Sequence, residues 1–473
     1  MRTLRITAFT AILVALLLPM SANAQSNIMY GSSRNPLMNS ANPAFFPNNS
    51  RVYLSLPGVN MNLSSPLAYS SIFYYDTTQD RTIINLNSVL DTLSSDKFRF
   101  GTNINAVGFG IDFNKFFLTL STQAKVDFRF GMPSGVVTFL NEGNYNHTGD
   151  DMIELLDGEL ISVTAYAEGA IGFGYHINDN LTVGARAKLL IGYLDLSNAG
   201  SSLTIRTEPD YSAMTATLDL NMNYTSCVDL GGTDSNGNKV SPAVRTFMPK
   251  NYGLNFDLGV RYNTDLFEVS ASILDLGPGI HWQDGVQRVV SARDKNSFTF
   301  TGVDVSEVMT GGTMDSTFAR MLIDSLKSVA EYKTIDGGAD YWSSIPTKVN
   351  VGGMFHITSG VSAGLLFHGE FERGIVKVGD VFKTKNVGFY SRTSAVARVN
   401  LYDWFEVVAS ASVITSNGNW NWFNPGVGVT LTPLRAFQVY AFLDYISNIY
   451  IVDAKQLNIS AGLNLFFGSG SSR

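Results

Sequence analysis

The sequence predicts an all-β chain, a transmembrane antiparallel β-barrel of about 14 strands. Three observations lead there: an export signal at the start, strands of the length a tilted barrel strand needs, and connections that alternate long and short along the chain. A soluble sandwich also alternates apolar and polar residues within its strands, but it has no reason to sort its loops by length. The composition agrees, with 43 Gly, 31 Phe and 20 Tyr against only 15% charged residues in a chain of 473.

Residues 1–24 read as a secretory signal peptide: Arg2 and Arg5, an apolar run from Ala8 to Leu18, then Ala22-Asn23-Ala24 in the small-x-small cleavage pattern. The run is too short to span a bilayer as a helix, and no later stretch approaches 18 apolar residues. With no cysteine directly at the cleavage site a lipoprotein anchor is not expected, and the mature chain is expected to begin at Gln25 and to reside in the cell outer membrane. From Gln25 to Ser50 the steps Asn35-Pro36, Asn42-Pro43 and Phe46-Pro47 rule out a regular ladder strand, because proline lacks the N–H that a ladder needs. A first strand candidate from Arg51 to Ser64 is interrupted at Pro57-Gly58. Ile83, Leu86, Leu90 and Leu93 follow at helical spacing and suggest a short loop helix.

Paired strands come next: Phe100 to Phe113 with Phe116 to Phe130, Leu160 to His176 with Leu181 to Leu194, and a hairpin within Tyr252 to Trp282. Further pairs are Thr347 to Ile357 with Val361 to Phe371, Gly388 to Leu401 with Trp404 to Ile414, and Gly426 to Leu431 with Arg435 to Tyr445. Leu457 to Phe467 is last, and 468–473 is a short tail. Tight turns sit at Asn114-Lys115, Asn178-Asp179-Asn180, Asn263-Thr264-Asp265, Thr358-Ser359-Gly360, around Asp403 and at Pro433, built mostly from turn-forming residues. Seven longer excursions lie between them: Ser65 to Arg99, Gly131 to Glu159, Asp195 to Asn251, Gly277 to Pro346, Glu372 to Val387, Thr415 to Pro425 and Ile446 to Gln456. Six turns and seven long loops join 14 strands, with both termini on the short-turn side. The alternating runs flanking Glu208-Pro209-Asp210, within Leu203 to Tyr224, leave 16 as the alternative.

Strand parity supports a barrel spanning residues 51–467. Val183, Ala185, Ala187, Leu189 and Ile191 oppose Thr182, Gly184, Arg186 and Lys188, so one face suits lipid and the other a polar lumen. A parity change at Ala106-Val107-Gly108 signals a bulge. Tyr402, Trp404, Trp420, Trp422, Tyr440, Tyr445 and Tyr450 fall near strand ends, where interfacial aromatic girdles sit. The polar faces would line the lumen with Lys125, Asp127, Arg129, Glu168, Arg186, Lys188, His368, Glu370 and Arg398, either pairing across a plugged barrel or serving transport.

Other classes find little support. The formal charge of −7 leaves no basic footprint for nucleic acid, and the single Cys227 allows no internal disulfide. His147, His176, His281, His356 and His368 lack metal-ligand spacing, and no nucleophile elbow occurs. Asp234-Ser235-Asn236-Gly237-Asn238 opens like a calcium loop, but Lys239 and Arg245 stand where Gly and Glu are needed. No enzymatic activity, cofactor or metal is expected.

Asn42-Pro43-Ala44, in SANPAFFP soon after the signal peptide, and the steps Asp257-Leu258-Gly259 and Asp275-Leu276-Gly277 followed by Trp282 resemble the FadL-type outer-membrane transporters of hydrophobic compounds. The sequence is most similar to a Bacteroidota branch of that superfamily, itself similar to the PorV-type barrels of the type IX secretion system. The resemblance implies 14 strands, an N-terminal hatch at residues 25–50 with Asn42, Pro43 and Ala44 in its motif, and extracellular loop helices that capture an apolar ligand. Those transporters open laterally at a kink in the third strand. Here Phe116 to Phe130 alternates nearly unbroken, without Gly or Pro.

In the fourth long loop Met314, Phe318, Met321, Leu322 and Val329 form one helical stripe after Gly311-Gly312, suited to capturing a ligand or to packing on neighbouring loops. Two functions follow. One is passive uptake or binding of hydrophobic, fatty-acid-like small molecules by a monomeric barrel embedded in outer-membrane lipid. The other is a non-transporting barrel that serves as partner or attachment site for a surface or secretion protein.

Overall fold

The computed structural model describes residues 27–469 apart from loop stretches. These are chiefly 66–72, 77–80, 85–97, 156–160, 198–200, 292–295, 301–331, 337–339 and 445–454, parts of 132–145 and 230–248, and a few shorter breaks. The expected signal peptide lies outside them.

Each strand from β1 to β14 pairs antiparallel with the next, and β14 closes on β1. β1 has two arms, Ser50–Ser55 and Gly58–Ser64, then come β2 (Phe98–Asp112), β3 (Phe116–Phe130), β4 (Ile161–His176) and β5 (Leu181–Ser197). β6 (Tyr252–Asn263), β7 (Phe267–Leu276), β8 (Thr347–Thr358), β9 (Val361–Val378) and β10 (Val381–Tyr402) follow. β11 (Phe405–Ser416), β12 (Asn419–Leu431), β13 (Phe437–Asp444) and β14 (Gln456–Ser469) complete the ring. The break in β1 falls at Pro57, which cannot donate to the ladder. The bulge in β2 sits at Ala106, between Asn105 and Val107, where the parity changes. β3 pairs with β4 over all 15 of its residues without a register shift.

Burial shows which solvent the wall faces. In β6 Leu254, Phe256 and Leu258 are 50%, 46% and 51% exposed, while Asn255 and Asp257 between them are fully buried. A soluble domain would reverse this. Apolar-out, polar-in strands in a closed ring are the arrangement of a transmembrane barrel. No described helix is long and apolar enough to cross a membrane.

Aromatic stacks mark the short-turn rim: Tyr402, Trp404 and Phe405 at 5.6 Å spacings, and Phe113, Phe116 and Phe173 at 4.9 and 5.9 Å. His281 and Trp342 stack at 4.6 Å on the outward face at the other end. Tyr440 departs from the expected girdle. It is buried and points inward, because Val439 takes the lipid side of β13. Tyr445 and Tyr450 lie outside the described residues.

The described parts of the long connections are largely β-structured, which corrects several expectations. Residues 372–387 and 415–425 are not loops: β9 and β10 stay paired to Val378↔Val381, and β11 and β12 to Ser416↔Asn419. The barrel has the expected 14 strands, and the alternative of 16 falls away. Ser202–Thr207 and Met214–Asp219 pair with each other, and Ile153–Glu154 and Asn296–Phe300 complete a separate four-stranded sheet. Asn221–Ser226 adds to the far end of β5 and to Val286–Ser291. Ile83 sits in a hairpin, Phe73–Asp76 with Arg81–Ile84, rather than in a helix; Leu86, Leu90 and Leu93 are outside the described residues. The strand β14 reaches Ser469, two residues into the expected tail.

Candidate functional site

The N-terminal segment lies inside the barrel, at its short-turn end. A short helix, α1 (Asn27–Gly31), is followed by a 3-10 turn at Pro36–Ser40, which Asn35 caps by accepting from Leu37 N at 3.0 Å with Pro36 in the first helical position. Ile28, Met29, Tyr30, Met38 and Phe45 form one apolar cluster with inward residues of β8 to β13, among them Met354, Leu366, Val396, Val408 and Phe442. Burying side chains of this size contributes about 1.5–3 kcal/mol each. The same burial pushes the Tyr30 phenol up to about 12. It therefore keeps its proton and can donate to Ser270 Oγ at 2.7 Å.

Polar contacts seat the segment's other side. Ser32 Oγ donates to Glu406, and Ser33 adds its backbone N–H and hydroxyl to the same carboxylate at 3.2 and 2.9 Å. Arg34 caps the β10–β11 turn at the carbonyls of Tyr402 and Asp403. Asn42 Nδ2 donates to the carbonyls of Val260 and Ala271 at 3.2 and 3.1 Å, while its Oδ1 accepts from Ala44 N at 2.9 Å. The carbonyl of Ala41 accepts from Ser272 Oγ and Asn350 Nδ2 at 2.7 and 2.8 Å.

The Asn42-Pro43 turn sits where two wall strands lack side chains. Gly184 and Gly259 are register partners on β5 and β6. A Cβ on Gly184 would lie 2.2 Å from Pro43 O, and one on Gly259 would lie 2.0 Å from Asn42 Oδ1. No other residue type fits either position with the turn in place.

A belt of ion pairs runs along the inner wall from β3 to β8 beyond this seat. Arg186 donates to Asp257 Oδ2 from Nε at 2.9 Å and from Nη2 at 2.7 Å, and its Nη1 reaches Asn39 O at 3.1 Å. Lys188 bridges Asp257 and Asp275 at 2.8 and 2.7 Å, and Lys348 approaches Asp275 at 3.3 Å. Lys125 pairs with Glu168 at 2.6 Å. Asp275 has a φ of +59°, a left-handed conformation that costs a non-glycine residue on the order of 1–3 kcal/mol. Its backbone N–H donates to Asp257 Oδ1 at 2.8 Å, and its two lysine partners hold it there. Such buried charges are tolerable only when paired.

The other expected lumen residues also point inward. Arg129 meets Asp127 at 2.8 Å, and Arg398 donates to Gly31 O at 3.2 Å. His368 Nδ1 lies 2.6 Å from Asn350 Oδ1 and must donate to it, and Nε2 stands 4.0 Å from Glu370. The structure thus gathers Lys125, Glu168, Arg186 and Lys188 near one another, and places His368 and Glu370 on β9. Asn42, Pro43 and Ala44 meet the β5–β6 wall. Met314, Phe318, Met321, Leu322 and Val329 lie outside the described residues; the strand Tyr332–Asp336 ends any helix through that stripe before Tyr332. Sequence reading missed Lys348, Asn350 and Glu406, although each lies on the polar parity of its strand. At the outer end Tyr166, Leu190, Ile280, Trp282, Val286, Tyr341 and Ile345 form a second apolar cluster beneath the loop strands. Among the described residues no group of three or more His, Cys, Asp or Glu could hold a metal ion.

Solved structures similar to this chain include the toluene transporter TbuX of Ralstonia pickettii, with 11% identity over 92% of this chain and 94% of that one at a TM-score of 0.43. A FadL homologue of Pseudomonas aeruginosa shares 9% identity over 94% and 98% of the two chains, with a TM-score of 0.42. The toluene transporter TodX of Pseudomonas putida shares 9% over 95% and 96%, also at 0.42. Likeness at this level transfers no property of those channels. No curated protein matches the sequence. The model of a family of unknown function, DUF5723, matches residues 43–444, and the chain belongs to that family.

Proposed function

We propose that the chain is an outer-membrane barrel, delivered by its cleaved signal peptide, that binds or passively admits hydrophobic small molecules of a fatty-acid-like kind. In this reading residues 25–50 act as its hatch. The observation that carries it is how the N-terminal segment is seated: it fills the short-turn half of the lumen through side-chain contacts and adds no strand to the ladder. A filling of that kind can leave without opening the wall. The buried apolar cluster around Trp282 supports it from the outer end, by giving the lumen an apolar lining above the ion-pair belt. The unbroken ladder of β3 argues against a lateral opening there. We place the chain beside the PorV-type barrels, in a Bacteroidota branch of the FadL-type superfamily.

The second reading is a partner-binding barrel. It is favoured by the β9–β10 and β11–β12 hairpins that continue past the barrel and by the four-stranded sheet that ties three loops together. Uptake of a hydrophobic fluorescent probe decides between them. Cells carrying the wild type, and more so a chain lacking residues 35–48, should take up the probe faster than cells without the protein. Equal uptake in all three would overturn the transport reading. Native mass spectrometry would then look for a co-purifying protein in place of a lipid-like ligand.

A further inference from the structure

The inner face of the barrel is divided by charge. Every strand from β3 to β11 places at least one buried charged residue on it, from Lys125 on β3 to Glu406 on β11. Among the described residues β14 places none, β1 has only the exposed Arg51 at the short-turn rim, and β2 has only Arg99 and Asp112 at its two ends; the nearest buried charge on the other side is Asp444 of β13, opposite Asn458. Carboxamides and hydroxyls take their place in register. Asn458 faces Asn62, Ser460 faces Asn60, Asn60 faces Asn103, and Asn105 faces Gln123. These groups bond one another: Asn60 Nδ2 donates to Ser460 Oγ, and Asn103 Nδ2 donates to Gln123 Oε1 at 3.0 Å.

A cavity of about 30 Å³ opens between this neutral wall and the N-terminal segment, with Asn60, Asn103 and Ser460 on one side and Met29, Leu37 and Ser40 on the other. That is room enough for at least one water molecule. Asn103 Oδ1, on its lining, is buried without a hydrogen-bond partner. Lys125 and Lys348 reach the cavity too, but their charges are engaged by Glu168 and Asp275. On the short-turn side of Asn60 and Ser460, next to the cavity but not on its lining, stands Tyr440. Its hydroxyl lies where a Cβ on Gly58 or Gly462 would come within 2.6 or 2.3 Å, and Gly58 is the register partner of Asn105.

We propose that β14, β1 and β2 form a narrow polar path for water and small uncharged hydroxylated solutes, with this cavity as one station and Tyr440 as its floor. Carboxamides replace water's hydrogen bonds for a neutral hydroxyl compound but cannot replace the hydration of an ion, so the path discriminates against salt. The inference rests on the neutral wall and not on uptake of apolar compounds, and either can fail alone.

The test uses the purified full chain in proteoliposomes, with swelling in glycerol and potassium chloride conductance measured side by side. Tyr440→Ala should speed glycerol swelling several-fold over wild type without a matching rise in conductance, and Tyr440→Phe should behave as wild type. Adding Asn103→Leu to Tyr440→Ala should return the rate toward wild type. Should Tyr440→Ala fail to migrate as a folded, heat-modifiable barrel, Tyr440→Leu keeps more of the packing and carries the same expectation. The wild type against Asn103→Leu alone gives a third comparison. Unchanged swelling in the folded Tyr440 variant, a proportional rise in salt conductance, or no effect of Asn103→Leu would overturn the proposal.

Discussion

Replacing Gly259 by valine tests how the N-terminal segment is held. The added Cβ would lie 2.0 Å from Asn42 Oδ1 and 2.9 Å from Pro43 Cδ, and the Pro43 side is closed by Gly184 on the neighbouring strand. Overpacking of this kind costs about 1–3 kcal/mol when neighbours can shift. Here the turn can relieve the clash only by leaving, which gives up the two hydrogen bonds from Asn42 to wall carbonyls. At about 0.5–1.5 kcal/mol each, their loss is comparable to the strain, so the turn should lift. The rest of the segment should stay. Ile28, Met29 and Tyr30 remain in the apolar cluster on β8 to β13, and about 1.5–3 kcal/mol for each such side chain exceeds what the turn loses.

The expected outcome is therefore local displacement of Asn39 to Phe46. Ala41 is buried beneath this turn, so a cysteine placed there should react slowly with an impermeant thiol reagent in the otherwise wild-type barrel and at least tenfold faster with Gly259→Val. Heat-modifiable migration on gels should be unchanged, because Gly259 faces the lumen and its ladder bonds remain. Unchanged labelling in a folded barrel would refute the reasoning about the glycine seat. A barrel that no longer folds would show that Gly259 serves the wall instead.

Two further substitutions separate lipid from lumen on β5: Ala187→Arg should cost about 2–4 kcal/mol near the membrane midplane, whereas Lys188→Met leaves Asp257 and Asp275 short of a partner and should cost about 3–5 kcal/mol. Urea unfolding in lipid vesicles measures both, and tolerance at position 188 would mean that the ion-pair belt does not stabilise the wall. Topology has its own check in whole cells: Tyr211→Cys, exposed at the tip of a long connection, should be labelled from outside, and Thr264→Cys in a tight turn should not. The reverse pattern would invert the barrel.

Much of the wall was legible because loop length and parity are separate signals that agree. Six tight turns set the strand number, and the parity slip beside Ala106 located the bulge. Parity failed where both faces of a strand look alike. In β13, Gln438, Tyr440, Phe442 and Asp444 face in while Phe437, Val439, Ala441 and Leu443 face out. With aromatic residues on both sides the alternation carries no contrast, and Tyr440 was assigned to the wrong side. Asp275 was obscured differently. The ladder between β6 and β7 shifts register around Asp257, so that Leu274 and Asp275 are both buried. The β9–β10 extension was hidden because residues 372–387 mix charge with glycine as a loop does, and pairing beyond the barrel needs no lipid-facing stripe. Hydrogen bonds between the N-terminal segment and the wall span 80 to 416 positions, and no local pattern encodes them.

One such contact explains why two short motifs recur in the chain. In Asp257-Leu258-Gly259 the aspartate holds Arg186, whose free arm reaches Asn39 O, and the glycine two residues on leaves room for the carboxamide of Asn42. In Asp275-Leu276-Gly277 the aspartate takes Lys188 and Lys348, and a Cβ on the glycine would lie 2.1 Å from the carboxamide oxygen of Asn255. Both steps join a cation on a neighbouring strand to an asparagine placed against a glycine. They differ in where the asparagine comes from. Asn255 belongs to the wall, so the second step ties β6 to the chain leaving β7, and it coincides with the left-handed backbone of Asp275. Asn42 belongs to the N-terminal segment, so the first step ties that segment to the barrel. Asp257 takes part in both, through Arg186 on one side and through Lys188 and the Asp275 backbone on the other. Arg186 and Asp257 thereby link the segment to the bend where β7 leaves the ladder through a continuous series of polar contacts.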